Sequence, residues 1–301
     1  MASRLALTVV LVAGLATIAG CGGSGHGLSS GSTQSALQAL GNTRAVAVSK
    51  APSIGTRHPS PLELRGTTEI QRLIRLGLPI FCGGLHGDEV ALTFDDGPGV
   101  YTHYAVKKLT QARERATFFV VGRLIGLWPG WLPQELRLGA IGDHTWTHPE
   151  LIELPPSEIR AQLSMTEQAI HAGSGEDVDL WRPPYELHDA TTDRIAQQLG
   201  LLEILWSVDS GDSVGANWSQ ITTNVEAGLR PGMIILMHEN RGQTIRALTT
   251  LLPELRRRHL RSVSVPELLA TDPPSLRQVR EGIDGCGTGG RQLLTGVGAG
   301  G

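Results

Sequence analysis

From residue 89 onward the chain alternates short apolar runs with helical patterns, and almost every run ends in polar residues. EVALTF (89–94) leads into DDGPG, ATFFVV (116–121) follows the helical HYAVKKLTQARE, and AIGDH precedes SEIRAQLSMTEQAI (157–170). DLWRPPYE, LLEILWSVD and GMIILMHEN repeat the unit, TIRALTTLLPELRRR is helical with Pro253 complicating its middle, and LRSVSV (260–265) closes the series. Strands that alternate with helices imply a parallel sheet covered on its outside by helices.

The polar exits decide between an open and a closed sheet. Asp95 and Asp96 follow one strand, His144 and His148 a second, Arg182 and Tyr185 a third, Asp209 and Asp212 a fourth, His238 and Glu239 a fifth. In a closed parallel sheet all such ends converge on one rim, whereas an open sheet gathers only those at its crossover point. An α/β barrel is therefore expected over an open sheet. Asp96 with His144 and His148 makes a two-histidine, one-carboxylate set, which suits zinc and leaves room for water or substrate. Each piece has a plainer reading: an Asx turn for the aspartates, solvated histidines, a loop histidine at 238. Arg182 could fix a carboxylate through two parallel hydrogen bonds. Leu236 and Trp206 could wall a small apolar pocket or belong to the core.

Composition narrows the class. In 301 residues, 40% of them hydrophobic, there is room for a substantial core. A net charge of −3 with dispersed basic residues gives no reason to expect a nucleic-acid partner. Arg256, Arg257 and Arg258 end a helical pattern, where cations suit the helix dipole. The first residues, MASRLALTVVLVAGLATIAGCGG, have the form of an export signal too short for a comfortable membrane span. IAGC resembles a lipobox, so residues 1–20 are expected to be a lipoprotein-type signal and Cys21 the lipidated residue; a conventional signal peptide is the alternative. A lipid anchor would hold the protein at the outer face of the membrane. Residues 21–60 read as a Gly/Ser-rich flexible linker, 61–270 as one domain, and 271–301 as a glycine-rich tail. In an exported protein Cys82 and Cys286, near the two ends of that domain, are candidates for a disulfide, the alternative being two unpaired thiols.

TFDDGP (93–98), HTWTH (144–148), RPPY (182–185), WSVDSGD (206–212, in part) and LMH (236–238) resemble, in order, the five motifs of the polysaccharide deacetylase family, the NodB-like group of carbohydrate esterases. The resemblance implies a distorted (β/α) barrel, usually seven-stranded, and metal-dependent removal of acetyl groups from polymeric sugars. It implies Asp96, His144 and His148 as ligands of Zn2+ or another divalent metal, Asp95 as general base and His238 as general acid. Arg182 would orient Asp95, Asp209 or Asp212 would hold the second ring nitrogen of His238, and the Tyr185 N–H would be an oxyanion donor. The implied substrate is an N-acetylated glycan such as peptidoglycan or a chitin oligomer, acted on by a monomer. O-acetylated xylan, or carbohydrate binding without catalysis, are the alternatives. Two departures bear on substrate: Glu186 stands where the family commonly has glycine, and Ser213 where it commonly has tryptophan.

Overall fold

The computed structural model describes residues 61–287. The expected signal, Cys21 and the linker lie outside that range, as does the chain after residue 287. Among the described residues no helix is long and apolar enough to cross a membrane.

Strand β1 (Glu89–Gly97) is the hub of the sheet. It pairs in parallel with β2 (Ala116–Val120) on one side, with β7 (Ile234–His238) on the other, and near its start with the two-residue β8 (Arg261–Ser262). Beyond β2 come β3 (Gly139–Asp143), β4 (Leu180–Trp181) and β5 (Leu202–Glu203); beyond β7 comes β6 (Val208–Asp209). The path β5-β4-β3-β2-β1-β7-β6 contains seven strands, all parallel, curled into a half-barrel. The sheet is open between β5 and β6. LLEILWSVD, which reads as one extended run, breaks over residues 204–207, and its two halves form opposite edges of the curl.

Period-two alternation along β1 gives each face its own core. Val90, Leu92 and Phe94 point outward into a layer completed by Ala105 and Leu109 of α2 (Thr102–Ala112), Ile221 and Val225 of α7 (Trp218–Gly228), and Leu248, Leu251 and Leu255 of α8 (Gly242–Arg257). Ala91 points inward with Phe119, Leu180, Leu202 and Ile234. That end of the curl is plugged by Ile70 and Leu73 of α1 (Pro61–Ile74) and Leu268 and Leu269 of α9 (Val265–Thr271). Above this apolar floor the inward positions become Thr93 and Asp95, both buried. The polar centre of the curl is thus built on a greasy base, and water reaches it from one end.

Two local readings change. Helix α8 runs through Pro253 without stopping. Pro253 removes one ladder hydrogen bond, but Leu251, Leu252 and Leu255 on either side are buried and hold the helix to the sheet. The expected tail is ordered through its first half: α10 (Leu276–Glu281) has a Ser275 capping box, and the 3-10 turn Gly282–Cys286 follows. A disulfide joins Cys286 to Cys82, with 6.0 Å between their Cα atoms, so this segment packs against the start of the domain.

Phe118 is fully buried and its ring centroid lies 5.6 Å from that of Phe94. Phe118→Ala should lower the unfolding free energy by about 3–5 kcal/mol, read as a shifted midpoint in urea melts at unchanged slope. A loss under about 1 kcal/mol would contradict the packing described.

Candidate active site

Asp95 and Asp96 are adjacent, and in a regular strand their side chains would face opposite sides of the sheet. The register breaks here. Asp95 pairs with Phe119 and Gly97 with the next residue, Val120, so Asp96 is an extra residue in a bulge. Its φ of 67° is left-handed, and bulges re-aim side chains in this way. Both carboxylates therefore reach the same cleft. Gly97 is required beside them, because a Cβ there would collide with the Glu239 carboxyl.

The histidines come from the exit of β3. The buried Asp143 carboxylate accepts a hydrogen bond from the Thr145 N–H at 2.6 Å, and the His148 N–H donates to Thr145 Oγ1 at 3.0 Å. Thr145 and His148 both take left-handed φ, 66° and 64°, which costs backbone energy and turns the two rings toward each other. Asp96 Oδ1 lies 3.2 Å from His148 Nε2 and 3.6 Å from His144 Nε2. Donor atoms held about 2.0–2.1 Å from a tetrahedral ion would stand roughly 3.3 Å apart, which these two separations match, and all three donor atoms lie within 4.8 Å of one another. His144 Nδ1 sits 2.8 Å from the Arg182 carbonyl. An N–H donated there leaves the Nε2 lone pair facing the cleft, the usual outer support of a metal-ligating histidine. Burial and the neighbouring His144 lower the pKa of His148, favouring the neutral ring a metal needs. Burial works against ionisation of Asp96, but His144, His238 and His148, with a 3.0 Å hydrogen bond from Asn240 Nδ2 to Oδ2, hold its carboxyl below the usual range.

Arg182 is fully buried. Its Nη1 donates to Asp95 Oδ1 at 2.7 Å and to Thr93 Oγ1 at 2.8 Å, its Nε to the Ile204 carbonyl at 2.9 Å, and its Nη2 to the Leu205 carbonyl at 3.3 Å. The pairing with Asp95 is therefore through one nitrogen and not the two parallel bonds considered from sequence. The other donors are taken by carbonyls at the open seam of the sheet. The guanidinium also lies over the rings of Phe119 and Trp206, at 4.2 Å and 5.5 Å.

Register places His238 directly across from Asp95 on β7. Asp212 accepts from the His238 backbone N–H at 2.7 Å, and its other oxygen stands 2.7 Å from His238 Nδ1. Thr244 adds a hydroxyl to the same carboxylate. Asp209, the other residue expected to hold His238, does not make this contact: its carboxylate accepts from the Gly211 N–H at 2.8 Å and stabilises the turn that presents Asp212. The two aspartates are three residues apart, and nothing in their spacing says which one turns back. Asn240, Thr93 and Thr244 were not singled out from sequence; only the proximity of Asn240 to His238 offered a signal.

Asp95, Asp96, His144, His148 and His238 line a cleft of about 570 Å³ together with Pro183, Tyr185, Glu186, Trp206, Asp209, Ser213, Val214, Leu236 and Arg241. Tyr185 has φ of 60° and its exposed ring meets the His148 ring edge-on at 4.6 Å. Leu236 is buried beneath the cleft floor and Trp206 is half-buried.

Burial opposes charging of His238, but the Asp212 hydrogen bond and charge, with Asp95 and Asp96 beyond, push its pKa up to about 9. The folded value exceeds the unfolded one, about 6.5, so this pairing stabilises the fold fully below that pH and the contribution fades as pH rises through about 9. In the metal-free protein, NMR titration should show the His238 imidazolium persisting above pH 8, and Asp212→Asn should bring its midpoint down. An unchanged midpoint in the variant would contradict the assigned contact.

A sequence model of the polysaccharide deacetylase family matches residues 83–204. A peptidoglycan-N-acetylglucosamine deacetylase of Bacillus cereus is 33% identical over 197 residues, which cover 64% of this chain and 72% of that protein. The peptidoglycan-N-acetylglucosamine deacetylase PgdA of Listeria monocytogenes is 35% identical over 181 residues, 60% of this chain and 38% of that relative, so the chain spans well under half of its length. A crystal structure of a peptidoglycan N-acetylglucosamine deacetylase superposes with a TM-score of 0.62 at 31% identity, covering 67% of this chain and 97% of the other. With the matching half-barrel and the ordered motifs around its cleft, the chain belongs to the polysaccharide deacetylase family.

Proposed function

We propose that the chain is a divalent-metal-dependent hydrolase that removes N-acetyl groups from a glycan of the peptidoglycan or chitin type. The observation that carries this reading is the division of labour between adjacent aspartates: Asp96 Oδ1 reaches both histidines, while Asp95, bonded to Arg182 and opposite His238, approaches His144 alone of the two, at 3.7 Å from its Oδ2. The chemistry of the three donors suits Zn2+, with other divalent ions as competitors. A metal bound there supplies a Lewis acid for the acetyl carbonyl and acidifies water.

The protein groups then account for the protons. Water oxygen bonds to the carbonyl carbon while Asp95 takes its proton, and the Arg182 contact keeps the Asp95 carboxylate aimed. The Tyr185 N–H is assigned to the developing oxyanion. His238, charged by its pairing with Asp212, gives its Nε2 proton to the sugar nitrogen as the carbon–nitrogen bond breaks, releasing acetate and a free amine. Leu236 and Trp206 are assigned to the wall that receives the acetyl methyl. Xylan O-acetyl esters would pass through the same steps with an alcohol leaving. The wide cleft, bordered by Glu186 and Ser213, is where the choice of sugar is made.

The same reading places the protein outside the cytoplasm, cleaved before Cys21 and tethered through a lipid on that residue, because IAGC is followed by a Gly/Ser-rich spacer. Mass spectrometry of the mature N terminus should find diacylglycerol on Cys21; an unmodified terminus starting elsewhere would leave a protein exported without an anchor.

Acetate release from peptidoglycan, chitin oligomers and acetylxylan tests the reaction. Asp95→Asn should keep metal content and fold while cutting turnover by about 10²-fold or more. His148→Ala should instead lose the metal of this site, with activity partly restored by excess zinc. Release from acetylxylan alone would replace the N-acetyl assignment with esterase activity. Zinc and glycan binding with no acetate released from any polymer, and Asp95→Asn without effect, would make the protein a carbohydrate binder.

A further inference from the structure

A second group of potential ligands stands on the flank of the curl, away from the catalytic cleft. His188 follows the turn that carries Tyr185 and Glu186, Asp193 lies on helix α6 (Ala190–Leu199), and Glu203 ends strand β5. Donor atoms of the three lie within 4.8 Å of one another. His188 Nδ1 is 3.0 Å from Asp193 Oδ1 and 3.3 Å from Glu203 Oε1. Those separations match the edges of a tetrahedral site with bonds of about 2.0–2.1 Å, roughly 3.3 Å.

The independent observation is the state of Glu203. Only 6% of the residue is exposed, and its Oε1, aimed at His188, makes no hydrogen bond. Buried carboxylate oxygens are normally satisfied, so an orphan needs a partner. The single His188 Nδ1 faces both carboxylates and is hydrogen-bonded to Asp193, so the one ring nitrogen cannot also satisfy Glu203. A dication bound between one imidazole and two carboxylates would satisfy Oε1 and reduce the mutual repulsion.

We propose that His188, Asp193 and Glu203 form a second divalent-cation site, suited to zinc or a metal of similar preference, distinct from the one at Asp96, His144 and His148. One imidazole nitrogen and two carboxylate oxygens leave a position for water. The ion would tie β5 and α6 to the far end of the loop that carries Tyr185, which makes its role structural and positioning. The site does not depend on the deacetylase reading, since no catalytic group contributes to it.

Zinc stoichiometry, measured by calorimetric titration of the metal-free protein and by elemental analysis after dialysis, tests this directly. The parent should take up two equivalents. His148→Ala should retain one, and so should Glu203→Gln and Asp193→Asn, whereas His148→Ala combined with Asp193→Asn should bind none. Asp193 is more exposed than Glu203, so Asp193→Asn decides the matter if Glu203→Gln fails to fold. One equivalent in the parent that His148→Ala loses, or two retained in a folded Asp193→Asn or Glu203→Gln protein, would overturn the second site. Loss of the first equivalent in His148→Ala is read separately, so failure of either site is visible on its own.

Discussion

A guanidinium with no exposure to water must find acceptors and negative charge inside the protein, and Arg182 organises the centre of the half-barrel around that need. Its donors go to the carbonyls of Ile204 and Leu205, to the Thr93 hydroxyl and to Asp95. Those two carbonyls lie at the open seam between β5 and β6, where a closed barrel would have offered a neighbouring strand. Ile80 bridges this stretch through the Glu203 carbonyl and the Leu205 N–H, and the Arg182 side chain takes the Ile204 and Leu205 carbonyls while fixing a carboxylate with the same group. A lysine could reach one of these acceptors, but its compact ammonium has no fork to span them.

The opposite wall of the cleft rests on backbone register. Pairing of β1 with β7 puts His238 across from Asp95, and the bulge between β1 and β2 admits Asp96 as an extra inward residue. A one-residue slip on either side would turn these groups toward the helices. Left-handed backbone at Asp96, Thr145, His148 and Tyr185 shows where the chain accepts strain to complete the arrangement. The apolar contacts of α1 and α9 at the other end of the curl supply the stability that keeps those conformations in place.

Much of this was legible in the sequence because strand exits carry unusual polar residues at fixed places. The alternation from residue 89 gives the layered α/β class, and the order of DDGP, HTWTH, RPPY and LMH brings the cleft residues together. What stayed hidden depends on contacts made across the fold. The break in LLEILWSVD is invisible in a uniformly apolar run. The single-nitrogen contact of Arg182 follows from competition by seam carbonyls that no local pattern reveals. Asp212 rather than Asp209 meets His238 because of how the turn at Gly211 folds back. The helical segment 276–286 lies in a stretch whose glycines suggested only a tail, and its docking depends on Cys82, 204 residues away.

The cleft joins a small, strictly placed polar centre to a broad rim containing Glu186, Ser213, Val214 and Arg241. In the proposed reading chemistry and sugar preference are thereby separated: the first rests on sheet register, the second on loops. The central claim is that adjacent aspartates divide the work, one holding the metal and one left free of it. Crystals grown with zinc and acetate, with anomalous data collected at the zinc edge, test it most directly. The expected map has a peak about 2.0–2.2 Å from Asp96, His144 and His148, with Asp95 outside bonding distance and still on Arg182. A zinc peak bonded to Asp95, or none at these three residues, would contradict it.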